Sequence, residues 1–76
     1  MSDEQSQALE ALYTAARDRS DTLAELSSVK VAIKASMLEE LRLLGVIGLV
    51  GRGLFTVTHR GREQVTENRR RSSADD

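Results

Sequence analysis

Few side chains in this chain can do chemistry, and their types narrow what that chemistry is. There is no cysteine, so a thiolate nucleophile, a thiolate zinc site and a disulfide are all excluded. His59 is the single histidine and sits between Thr58 and Arg60 without an adjacent acid. Alone it cannot build a histidine-rich metal site. The glycine string Gly45-Val46-Ile47-Gly48-Leu49-Val50-Gly51 does not fit G-x-G-x-x-G and comes too late to open a βαβ unit. No catalysis, cofactor, metal or small-molecule ligand is expected. What remains is cationic: Lys30, Lys34, Arg52, Arg60 and Arg62, with the hydroxyl of Ser36 among them. Groups of this kind bind phosphate oxygens and position a protein on a nucleic-acid backbone.

The formal net charge is -1, but it conceals a gradient. Residues 1–28 set two arginines against six carboxylates, and residues 29–62 set six cations against two. Residues 63–76 set three arginines against four carboxylates. The local field, more than the sum, steers a polyanion, so the middle of the chain favours a nucleic-acid partner.

These cations must be positioned by a small scaffold. At 76 residues the chain is one domain. A domain of this size buries about 60–65% of the surface its unfolded chain exposes. Without disulfides or metal, it needs good packing or self-association. The longest apolar run, Leu43–Val50, is far too short to span a membrane. The polar start Met1-Ser2-Asp3-Glu4-Gln5 is no secretory signal. A cytoplasmic location without membrane contact is expected.

Ser2 with Gln5 reads as a capping box, followed by Ala8, Leu9, Leu12, Ala15 and Ala16 at helical spacing, which predicts a helix over Asp3–Arg17. Asp18-Arg19-Ser20-Asp21 is turn-prone. Thr22 with Glu25 predicts a second, short helix through Leu26, and Ser27-Ser28 ends it and caps a third over Val29–Leu44. Gly45 stands where a C-capping glycine belongs. The period then changes: Val46–Val50 and Leu54–Thr58 flank Gly51-Arg52-Gly53, a hairpin with an arginine at its tip. Thr58 can cap a last helix over His59–Arg69. A single domain over residues 1–68 and a disordered charged tail over 69–76 are expected.

On a helix over Val29–Leu44 the apolar residues cover more than half the circumference, with Lys30 and Lys34 inside that arc. The other face carries Ala32, Ser36, Glu39, Glu40, Arg42 and Leu43, small at its N-terminal end and mildly acidic toward its C-terminal end. Two explanations of the wide arc stay open. The helix is buried on two sides, or Ile33 and Met37 face a second copy of the chain. The triple arginine Arg69-Arg70-Arg71 reads as a solubilising tail, and Tyr13 and Phe55 as packing residues.

Three stretches resemble the winged helix-turn-helix domain of MarR-, ArsR- and PadR-type regulators of bacteria and archaea. Leu38-Glu39-Glu40-Leu41-Arg42-Leu43-Leu44-Gly45-Val46-Ile47 is similar to that family's L-x-x-L-x-x-x-G-hydrophobic-Ile, where the recognition helix drops into the first wing strand. Val57-Thr58-His59-Arg60-Gly61-Arg62-Glu63 resembles its L-T-x-x-G-[RK]-E, where the second wing strand ends. Thr22-Leu23-Ala24-Glu25-Leu26 looks like the opening of its second helix. The segment between Thr22 and Leu38 is shorter than the usual family spacing, and the wing loop is very short.

The resemblance implies an α+β, mainly helical winged helix: three helices, a two-stranded β-hairpin wing and a short C-terminal helix. It also implies binding of double-stranded DNA in transcriptional control, as a homodimer in a prokaryote or one of its viruses. Lys30, Lys34, Ser36, Arg52, Arg60 and Arg62 are the candidate DNA contacts, and Ile33 and Met37 the candidate partner interface. The alternative is an interaction module that docks a protein on the apolar face of helix three.

Overall fold

A computed structural model describes residues 1–17 and 23–74. It is α+β and mainly helical, with three α-helices and a three-stranded antiparallel sheet. Helix α1 spans Asp3–Arg17, as its pattern predicts. The capping box closes in both directions: the Ser2 amide donates to Gln5 Oε1 at 3.0 Å, and the Gln5 amide donates to Ser2 Oγ at 3.2 Å. Leu9 and Leu12, one turn apart, are fully buried.

The next segment departs from expectation. Ala24–Glu25 is a strand, β1, followed by one 3-10 turn over Leu26–Ser28. Ala24 is fully buried opposite Phe55. A four-residue helix cannot repay its nucleation cost, whereas a strand pair here completes a sheet. Thr22, the expected cap, and the turn at residues 18–21 lie outside the described residues.

The long third helix is also shorter than expected. Helix α2 spans Ala35–Leu43, and Val29–Lys34 is irregular. Val29, Val31 and Ile33 alternate with Lys30, Ala32 and Lys34. β-Branched residues every second position lose χ1 freedom in a helix and favour extended backbone. Val29 (φ -74°, ψ 125°) and Lys34 (φ -65°, ψ 147°) both adopt it. Lys30 and Lys34 therefore do not sit within a helical apolar arc.

Helix α2 ends as the glycine predicts. Gly45 has φ +78°. Its amide donates to the Arg42 carbonyl at 3.0 Å, and the Val46 amide donates to the Leu41 carbonyl at 3.3 Å. This is a Schellman cap, and its accompanying apolar pair, Leu41 and Val46, is buried.

Strands β2 (Ile47–Leu49) and β3 (Leu54–Val57) form the hairpin. The sheet order is β1-β3-β2, with Ile47 opposite Val57 and Leu49 opposite Phe55. The expected two-stranded wing thus has a third strand. Phe55 is fully buried between the sheet and the helices, worth about 1.5–3 kcal/mol by area alone.

Helix α3 spans His59–Ala74. It runs past Arg69 through residues expected to be a tail, since neither glycine nor proline stops it. Thr58 joins three elements. Its hydroxyl donates to the Gly45 carbonyl at 2.6 Å and accepts the Gly61 amide at 3.1 Å, capping α3 against the end of α2. Gly61 is buried there, and a Cβ on it would lie 2.0 Å from the Val46 carbonyl oxygen. Among the described residues no helix is long and apolar enough to cross a membrane.

Candidate nucleic-acid interface

The hairpin tip is built from three consecutive residues with positive φ: Gly51 (30°), Arg52 (59°) and Gly53 (73°). The Val50 amide donates to the Leu54 carbonyl at 2.9 Å and the Leu54 amide to the Gly51 carbonyl at 3.1 Å, which close the turn. Left-handed backbone costs an ordinary L-residue roughly 1–2 kcal/mol. Arg52 occupies it between two glycines, either of which would carry that conformation without the cost. Its side chain is exposed.

The tip is braced from the side. The Leu26 amide donates to the Gly53 carbonyl at 2.7 Å, tying the 3-10 turn to the wing. The irregular segment that carries Lys30 and Lys34 leaves from that turn, and both lysines are exposed. Lys34 is also the N-cap residue of α2 and supplies no side-chain bond to its first amides. Ser36 is exposed in the first turn. An uncapped helix start flanked by lysine and serine presents free N–H groups and the positive end of the helix dipole. Lys30, Lys34 and Ser36 line the grooves beside α1, whereas Arg52 stands at the hairpin tip.

Arg60 and Arg62 belong elsewhere. They lie in the first turn of α3, separated from the tip by the whole of β3, about 14 Å at roughly 3.4 Å per residue. The Arg60 side chain lies over Gly45, its Cδ 3.7 Å from where a Cβ there would be. The six polar candidates thus lie in three places: beside α1, at the hairpin tip and at the start of α3. Among the described residues no carboxylate lies within ion-pair distance of Lys30, Lys34, Arg52, Arg60 or Arg62.

Arg42 is different: it is paired with Glu39 one turn earlier, its Nε 3.0 Å from Oε2. The guanidinium holds the Glu39 carboxyl below its ordinary range, and the carboxylate in turn raises Arg42. With Glu40 also exposed, the outer face of α2 is mildly acidic. Ile33 and Met37 are half-buried against the core and line a groove beside α1.

One arginine escaped the sequence reading. Arg69 binds Glu10 of α1, its Nε 3.0 Å from Oε1, and stacks over the Tyr13 ring at 5.4 Å. The signal was present in part, since Glu10 and Tyr13 share one face of α1 at i, i+3. Where the start of a third helix was expected, Val29–Lys34 leaves two open grooves against α1, of about 440 and 450 Å³.

Set against known protein families, curated proteins and solved structures, the chain matches none of them.

Proposed function

We propose that this chain is a compact winged-helix protein that binds double-stranded DNA through its phosphates, and acts as a homodimer in transcriptional control. The observation that carries the reading is Arg52, a free cation held in left-handed backbone at the tip of a braced hairpin. A long charged side chain there has no packing role, and the strain is explained by a contact outside the molecule. Three further features support it. The sheet order β1-β3-β2 with α2 leading into β2 suits a wing. Lys30, Lys34 and Ser36 surround an uncapped helix start, which suits a phosphate. Among the described residues no ion pair consumes these cations.

Binding of this kind is dominated by phosphates. Glu39 and Glu40 on the outer face of α2 repel the backbone, and the one arginine there, Arg42, is engaged by Glu39. Duplex affinity should fall with salt by about 0.9 log units per log unit for each phosphate contact. Titration of labelled duplex at several salt concentrations tests this, and no binding at low salt overturns the reading.

A second reading is favoured by the acidic outer face of α2 and by the open grooves beside Val31, which is 59% exposed. There the fold serves as a protein-docking module, and its binding is insensitive to Arg52→Ala.

A further inference from the structure

Helix α3 is almost wholly polar, with five arginines, two glutamates and a single large apolar residue, Val65. Its side chains fall into four rows, each made of residues four apart. Three of the rows are occupied within the molecule. On the first, Gly61 and Val65 are buried, and Arg69 clasps Glu10 of α1 at 3.0 Å. On the second, the Gln64 side-chain amide donates to Asn68 Oδ1 at 2.9 Å, and Asn68 Nδ2 donates to Met1 Sδ at 3.5 Å. On the third, His59 Nε2 lies 2.8 Å from Glu63 and Arg71 Nε lies 3.8 Å from Glu67, so each carboxylate is already engaged.

The fourth row is Arg62, Thr66 and Arg70, and all three are exposed. Thr66 turns its hydroxyl back onto its own helix, donating to the Arg62 carbonyl at 3.1 Å. It leaves a low step between two long cations. Among the described residues no carboxylate lies within ion-pair distance of Arg62 or Arg70.

The spacing selects the ligand. Eight residues at about 1.5 Å each set the two arginines about 12 Å apart along the helix. No buried polar group lies between them to seat one small anion, so the row suits an anion whose charge repeats. The major groove of B-DNA is about 12 Å wide, and a helix set across it brings one arginine to each strand. The planar guanidinium fork matches phosphate oxygens. A lipid surface fits less well, because α3 exposes no large apolar side chain to bury among headgroups.

We propose that the outer row of α3 is a second phosphate-binding surface, on which Arg62 and Arg70 hold the two strands of duplex DNA on either side of the major groove. Arg70 is the contact that the sequence pattern did not single out. Arg69 beside it is a positioning residue, fastening the second half of the helix to α1. The proposal rests on the DNA-binding reading but not on the hairpin tip.

Titration of labelled duplex against the full chain, at several salt concentrations, tests it. Arg62→Ala and Arg70→Ala should each lower the slope of log affinity against log salt by about 0.9, and the double variant by about twice that. Arg71→Ala, on the row that carries its own carboxylates, should leave the slope unchanged. Thr66→Glu sets a carboxylate one turn from both arginines and should lower the slope at least as much as either single change. Circular dichroism confirms that each variant folds. An unchanged slope in Arg70→Ala overturns the proposal, and if Arg52→Ala still lowers the slope, the DNA-binding reading stands without it. Absence of duplex binding at low salt overturns both. Vesicles of phosphatidylserine and phosphatidylcholine form a second arm. Arg70-dependent binding to them, with no effect of Arg70→Ala on the duplex, assigns the row to a lipid surface and overturns the proposal.

Discussion

Arg52 is the residue whose backbone and side chain pull in different directions. Replacing it with glycine removes the left-handed strain, so Arg52→Gly should raise stability by about 1 kcal/mol while weakening duplex binding. Thermal melting and DNA titration on the same protein check both signs, and unchanged affinity would remove Arg52 from the interface. Gly61 is the opposite case, where the neighbour forbids a side chain. Gly61→Ala drives a methyl into the Val46 carbonyl and should cost about 3 kcal/mol or more, lowering the melting midpoint by roughly 10 °C or more. Glu39 offers a smaller test. Its lowered pKa means that the Arg42 bond contributes stability above the ordinary carboxylate range, and that this is lost as pH falls through the depressed value. Because the pair is exposed the effect on stability is small, but Arg42→Ala should return the Glu39 titration to its ordinary position by NMR. Residue-level features were legible in the sequence when both partners were near in the chain. Ser2 with Gln5, Thr58 with Gly61, and the Gly45 cap all lie within one turn. The Arg69 clasp was not legible, because its partner Glu10 is 59 residues away.

Elements were legible where one local pattern decided them. Helix α1, the end of α2 and the hairpin each rest on a periodicity or a glycine that has no competing reading. The stretch between them failed because helix and strand signals overlapped. Thr22 to Leu26 carries a capping pattern, yet Ala24 and Glu25 pair with β3, some thirty residues onward, and no local signal reports that partner. The α2 start was misplaced for the same reason, with β-branched alternation outweighing apolar spacing. The uncapped start invites a test. Lys34 already has N-cap backbone geometry, so Lys34→Asp should stabilise α2 by about 1 kcal/mol and raise the melting midpoint by roughly 4–8 °C. If the helix start meets phosphate, the same change should weaken duplex binding. A stabilised variant with undiminished affinity would place the contact elsewhere.

At the scale of the whole molecule, the charge gradient survives folding but is divided. Lys30, Lys34 and Ser36 lie beside α1, Arg52 at the hairpin tip, and Arg60 and Arg62 at the other end of β3. The sequence located the cations but not their division, because separation along the hairpin depends on how many residues each strand contributes. The two ends of β3 can therefore be tested separately. Arg52→Ala should reduce the salt slope of duplex binding by about one unit. Arg60→Ala should reduce it likewise where the start of α3 meets phosphate, and an unchanged slope would remove that end from the interface.

The attachment of β1 has a kinetic side. A two-residue ladder and the adjoining Leu26–Gly53 bond hold it to β3, whereas β2 is joined to β3 by a short turn. The hairpin closes a short loop, while β1 must bring distant residues together. β1 is therefore expected to dock late in folding and to release first under native conditions. Its departure frees the segment to Lys34 as a unit while the helices and hairpin stay assembled. Trypsin should then cut the native chain after Lys30 and Lys34, at a rate governed by this local opening and not by global unfolding. Tightening the core elsewhere should leave that rate unchanged.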